Sequence, residues 1–188
     1  SKKGMPRYYG YGSPFFNYGL LPQTWEDPAN CNSEGICGDD DPLDVMEVGS
    51  GPLAMGSVVP VKVLGTLELI DEGETDYKVI VIRADDPDAT RIYDMASLES
   101  VKPGTTARLV DWLKKYKTAE GKGLNTLASE VPYTIERSDG IIAECSEHWL
   151  WLLNGQTANS KKHYITTNIA PALTPMGGGV AATPAAAT

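Results

Sequence analysis

Four aspartates fall within the six residues from 39 to 44, in the string Gly38-Asp39-Asp40-Asp41-Pro42-Leu43-Asp44. An acidic loop alone is often only a solvated surface. Here Pro42 and Leu43 interrupt the acids, and Val45 and Met46 follow as strand-like apolar residues. In an extended segment Asp39 and Asp41 would project to the same side, and the Pro turn could bring Asp44 back toward them. Converging hard oxygen ligands suit Mg²⁺, which keeps several waters and binds through a few carboxylates plus substrate phosphate. The spacing does not fit an EF-hand, which needs Gly after the third acidic position and Glu at the twelfth. A second acidic string, Asp71-Glu72-Gly73-Glu74-Thr75-Asp76, runs into Tyr77-Lys78. Alone it reads as a polar hairpin tip. A hairpin there could place Asp71 and Asp76 on one edge, with Lys78 on the side of Asp76. Two acid clusters with basic and phenolic groups nearby form a metal-and-phosphate constellation, in which carboxylates hold cations and Lys, Arg and Tyr bond phosphoryl oxygens.

The elements that must carry these groups can be read from periodicity. Residues 1–22, rich in Gly, Pro and Tyr, read as extended strand and turn, and residues 23–52 as a long loop. Residues 58–70 read as strands broken near Gly65, 71–76 as a turn, and 77–84 as a further strand. Residues 105–117 switch to helical spacing, with Leu109, Trp112, Leu113 and Tyr116 on one face and Thr105 as the cap. A second helix is expected over about 140–154, with Ile141, Cys145, Trp149 and Leu152 as its stripe and Gly155 as its stop.

The formal charge of −9, from 25 acidic and 16 basic residues, argues against nucleic acid as a partner. No apolar run approaches the roughly 18 residues of a membrane span, so direct membrane insertion is not expected. The first residues lack the apolar core of a secretory signal. Cys31, Cys37 and Cys145 are few and odd in number, which does not suggest a disulfide framework and favours an intracellular reducing compartment: cytoplasm, plastid or mitochondrion. Cys31 and Cys37 flank a loop and could pair only under oxidation.

Taken as blocks, these residues resemble the family I soluble inorganic pyrophosphatases of eukaryotic type. DDDPLDVMEVG is similar to the family's D-x-D-P-hydrophobic-D signature, and NYGLLPQTWEDP at 17–28 resembles its NYG-x-x-PQTWEDP block. LGTLELIDEGETDYKVI at 64–80 and DWLKKYK at 111–117 resemble the next two, so the likeness covers about residues 3–125. It implies a mainly β (α+β) fold: an OB-like five-stranded barrel with two principal helices outside. It implies Asp39, Asp44, Asp71 and Asp76 as metal ligands and Asp41 as the carboxylate that positions and deprotonates water. Arg7, Tyr18, Lys78, Tyr116 and Lys117 would bind substrate phosphate. The implied reaction is Mg²⁺-dependent hydrolysis of pyrophosphate to two orthophosphates by metal-activated water.

The family carries an N-terminal segment with barrel strands, a metal-binding Glu pair and a phosphate-binding Lys, which this chain is expected to lack, leaving the barrel incomplete. A phosphate-site Tyr of the family falls here on Pro14. Residues 1–170 are expected to form the pyrophosphatase-like domain and 171–188 a low-complexity tail. The alternative reading is a pyrophosphatase-like accessory subunit of a larger assembly, with a homodimer or another protein covering the N-terminal opening or meeting the tail.

Overall fold

The computed structural model describes residues 8–158. Arg7 and the tail at 171–188 therefore lie outside the described residues. Five strands form one mixed sheet: β1 (Asn17–Leu20), β2 (Asp44–Glu47), β3 (Val61–Asp71), β4 (Glu74–Arg83) and β5 (Thr126–Leu127), in the order β1-β2-β4-β3-β5. β2 runs parallel to β4 with Asp44 opposite Lys78, and the other neighbours are antiparallel. Among the described residues β1 and β5 end the sheet without meeting, so the barrel is open.

The apolar run of β4 is buried on both faces because helices cover both. Ile80, Ile82, Met46, Leu67 and Leu69 share a core with Phe16, Leu98, Leu109, Val110, Trp112 and Leu113. Those last residues come from α1 (Met95–Val101), α2 (Thr105–Lys115) and the segments beside them. On the opposite face Leu43, Val45, Val79 and Val81 pack against Ile141 and Cys145 of α3 (Ile135–Leu153).

The two principal helices are therefore α2 and α3, one on each face. Their details differ from expectation. Thr105 is the first residue of α2 rather than its cap. Gly104, left-handed at φ 78°, precedes it, and the Glu99 carboxylate accepts the Gly104 and Thr106 N–H groups. α3 begins earlier than expected, at Ile135, and is capped by Thr134, whose hydroxyl accepts the Arg137 N–H at 3.4 Å. Its buried stripe is Ile141, Cys145, His148 and Leu152, so His148 takes the place expected for Trp149. The short α1 has no forecast in the sequence pattern; Asp94 and Ser97 start it with reciprocal side-chain caps. β3 does not break at Gly65. It bulges between Val63 and Gly65, where a Cβ would lie 2.8 Å from the Tyr133 carbonyl oxygen.

Cys31 and Cys37 form a disulfide, against the expectation of free thiols. The pairing is local. The Asn32 side chain accepts the Glu34 and Ile36 N–H groups at 2.9 and 3.0 Å, and Gly35 takes φ 79°, which folds the loop back so that the cysteines face each other.

Candidate functional site: an acid cluster at one end of the sheet

The start of β2, the start of β4 and the end of β3 meet at one end of the sheet, and each delivers a sequence-predicted acid: Asp44, Asp76 and Asp71. Asp39 and Asp41 come from the loop ahead of β2. That loop is not extended. Asp40 is left-handed at φ 68° and buried, with its carboxylate accepting the Trp25 indole N–H at 2.7 Å. Asp39 is half-buried and Asp41 exposed, and the Asp39 carboxylate accepts the Asp41 N–H at 2.9 Å. The two are thus held by a side-chain-to-backbone turn rather than by strand alternation.

A splint formed by residues 24–26 fixes the loop. The Glu26 carbonyl accepts the Asp40 N–H at 2.9 Å, and the Asp41 carbonyl accepts the Glu26 N–H at 3.0 Å. Thr24 Oγ1 accepts the Leu43 N–H at 3.1 Å. Gly38 passes so close that a Cβ there would sit 2.5 Å from the Glu26 carbonyl carbon and oxygen. Beyond it, the Cys37 carbonyl accepts the Thr75 N–H at 2.8 Å, which docks the loop on β4 next to Asp76.

This splint inserts a residue the sequence reading missed. Glu26 is 3% exposed and joins Asp39 and Asp76 in a group whose ligand oxygens all lie within 4.8 Å of one another. Glu26 Oε1 accepts the Tyr77 N–H at 2.9 Å, while Oε2 is buried without a hydrogen-bond partner. Burial, and then the Asp39 charge, push the Glu26 carboxyl up to about 10. Burial and Asp76 raise Asp39 to about 7. Asp76 rises to about 6 through burial, against the opposing pull of Lys78. Three clustered acids that resist ionisation, one with an orphaned buried oxygen, form a group that could hold a cation. The donor set, all carboxylate, fits a hard divalent cation. A signal for Glu26 existed: it is the acid of Trp25-Glu26-Asp27-Pro28, but nothing in its local spacing ties it to acids 13 and 50 residues away.

Asp76 also belongs to a second cluster. The Lys78 side chain, 2% exposed, bonds both Asp44 and Asp76 and donates to Tyr18 Oη at 3.1 Å. Tyr18 Oη in turn donates to Asp44. Burial disfavours the Lys78 charge, but Asp76, Tyr18 and Asp44 outweigh it and hold the ammonium charged. Asp44 is thus engaged by Lys78 and Tyr18. A third pair, Lys117 with Asp71, lies alongside. Tyr116 stacks on Trp112 with ring centroids 4.7 Å apart, and burial pushes its phenol upward. Tyr9, which the sequence reading did not single out, sets its ring edge-on to Trp112, Tyr116 and Tyr18 at 5.2, 6.2 and 6.3 Å.

The inorganic pyrophosphatase family model matches residues 3–150. The chain belongs to that family. Human inorganic pyrophosphatase is 44% identical over 162 residues, covering 83% of this chain and 56% of the relative. A chloroplastic soluble inorganic pyrophosphatase of Arabidopsis thaliana is 42% identical over 156 residues, covering 81% of this chain and 52% of its own length. An N-terminally truncated vacuolar soluble pyrophosphatase of Trypanosoma cruzi, solved in complex with pyrophosphate, superposes with a TM-score of 0.79 at 34% identity, covering 82% of this chain and 59% of that one. The open five-stranded sheet is thus the OB-like fold of these pyrophosphatases. The chain spans about half the length of the curated relatives it matches. Among the described residues no helix is long and apolar enough to cross a membrane.

Proposed function

We propose that this chain carries the pyrophosphate-hydrolysing site of its family and that the cation it uses is Mg²⁺. The observation that carries the reading is the convergence of Glu26, Asp39 and Asp76, with one buried carboxylate oxygen unpartnered, directly beside a buried lysine and two tyrosines. Glu26, Asp39 and Asp76 would hold one Mg²⁺, and Asp44 and Asp71 would join when substrate displaces Lys78 and Lys117 from them. Mg²⁺ supplies charge neutralisation of pyrophosphate and acidification of water.

The chain's own groups do the rest. Asp41, exposed at the loop's turn and fixed through its backbone to Asp39 and Glu26, accepts the proton of the attacking water. Lys78 and Lys117, now paired with carboxylates, rotate to phosphoryl oxygens and stabilise charge on the departing phosphate. Tyr18 and Tyr116 donate hydroxyl bonds to the same oxygens; desolvation of each hydroxyl keeps both phenols protonated, although the Tyr18 side chain as a whole is partly exposed. Arg7, outside the described residues, is assigned to phosphate by family resemblance alone. The relative with a chloroplastic name makes an organelle one of the compartments to test.

Phosphate release from pyrophosphate, measured with and without Mg²⁺ for the chain and its Asp41→Asn variant, tests the proposal. Mg²⁺-dependent release that the variant loses supports it. Near-normal turnover by Asp41→Asn removes Asp41 as the base. A folded, Mg²⁺-binding chain that releases no phosphate refutes hydrolysis by this chain alone and favours a subunit role.

A further inference from the structure

The Cys31–Cys37 disulfide closes the neck of the loop that ends at the acid cluster. Asn30 and Gly38 form the next rung of that neck, where the Asn30 carbonyl accepts the Gly38 N–H at a long 3.3 Å. From the disulfide the path to the site is short. The Cys37 carbonyl holds the Thr75 N–H at 2.8 Å, Gly38 abuts the Glu26 backbone, and Asp39 follows. A cleft of about 210 Å³ runs from Cys31 and Ile36 past Gly38 to Glu26. Cys31 is exposed and Cys37 half-exposed, whereas Cys145 is buried and unpaired. A surface disulfide on a tight loop is open to attack by an external thiol.

We propose that Cys31–Cys37 is a thiol–disulfide exchange site for a dithiol protein, and that its redox state sets the order of the acid loop and so its hold on a divalent cation. The second half rests on the cation-binding reading above. In the exchange, one donor thiol attacks the exposed Cys31 sulfur and forms a mixed disulfide, releasing Cys37 as a thiol. The donor's second thiol then displaces Cys31. The chain gains two electrons and two protons, and the donor leaves as its own disulfide.

Reduction removes the covalent tie and leaves the neck to hydrogen bonds alone: the long Asn30–Gly38 bond on the side of the site and the 2.9 Å bond from the Asn32 N–H to the Ile36 carbonyl on the other. The freed loop then has more conformational freedom to lose on binding the cation. The oxidised chain is the stronger Mg²⁺ binder.

The test compares the full chain, air-oxidised and dithiothreitol-reduced, beside the Cys31→Ser/Cys37→Ser variant. Thiol alkylation of unfolded samples reports the bond. Hydrogen exchange at the Thr75, Asp40 and Glu26 amides reports loop order. Calorimetric titration with Mg²⁺ alone reports affinity. Reduction is expected to speed exchange at those amides and weaken Mg²⁺ binding by about fivefold, with the double variant matching the reduced chain and ignoring dithiothreitol. All three cysteines alkylated without reductant would overturn the proposal. So would equal exchange in both states, Mg²⁺ affinity indifferent to reduction, or a redox response that persists in the double variant. Faster exchange on reduction in a chain that binds Mg²⁺ in neither state upholds the redox-ordered loop and refutes the cation site itself.

Discussion

Replacing Glu26 by Gln separates a structural carboxyl from a cation ligand. The Glu26 carboxyl is 3% exposed and stays protonated up to about pH 10. Near neutrality it is therefore a neutral acid in the cation-free chain, and an amide is its close mimic. Gln retains an oxygen for the Tyr77 N–H, and its NH₂ replaces an oxygen that has no partner. The cation-free chain should lose less than about 1 kcal/mol. Cation binding is another matter. Ionising Glu26 near pH 7 costs about 4 kcal/mol at 1.36 kcal/mol per unit. A divalent ion about 4 Å from a unit charge returns about 8 kcal/mol at an effective dielectric constant near 20. About 4 kcal/mol remains before the cation's own lost hydration, and halving it for that loss leaves about 2 kcal/mol, roughly a thirtyfold change in affinity. Calorimetric titration with Mg²⁺ and urea unfolding in a chelator read the two effects. Mg²⁺ affinity within threefold of the parent chain would refute the ligand role. A loss of more than about 2 kcal/mol in the cation-free chain would instead make Glu26 a structural acid.

Three other outcomes are expected. Lys78→Met leaves Asp44 and Asp76 facing each other without their shared ammonium, so urea unfolding of the cation-free chain should show a loss of about 2–4 kcal/mol, partly recovered by Mg²⁺. Gly38→Ala places a Cβ on the Glu26 backbone and should cost about 1–3 kcal/mol in unfolding while weakening Mg²⁺ binding; an unaltered chain would show that the close approach is not required. The folded carboxyls of Glu26, Asp39 and Asp76 lie above their unfolded values, so the folded chain binds more protons. Cation-free stability should therefore be greatest below about pH 4 as far as these groups decide it, and decline as pH rises from about 4 toward 10. Mg²⁺ affinity should rise over pH 6–8 as Asp39 and Asp76 ionise; thermal unfolding across pH, with and without Mg²⁺, checks both signs.

The sequence showed β3, β4, its two large helices and its acid strings because each is a local pattern: alternation in β4, a 3.6-residue stripe in α2, carboxylates crowded into a loop. The four-residue β2 fell inside the expected loop, and the two-residue β5 was too short to leave a pattern. It did not show what joins them. Nothing in local spacing says that β2 lies parallel to β4, yet that pairing sets Asp44 beside Lys78. Glu26 was hidden for the same reason, since its partners come from two other segments. The assumed alternation of Asp39 and Asp41 failed because Asp40 adopts a left-handed backbone to reach Trp25, a tertiary hydrogen bond overriding strand geometry. The disulfide was discounted from cysteine count, whereas the turn-forming Asn32 and Gly35 between the two cysteines carried the better signal.

The parallel pairing of β2 with β4 has a bearing on how the chain reaches its native state. Asp44 and Lys78 are separated by 34 positions, and the β3–β4 hairpin between them can close first on local contacts alone. Docking β2 is a non-local step, slow because loop-closure entropy is lost before the contact repays it. Asp71 and Asp76 come together with that hairpin, whereas Asp44, Asp39 and Glu26 join them only when β2 docks. A cation that binds the assembled cluster would act on that final step, slowing unfolding far more than it speeds folding.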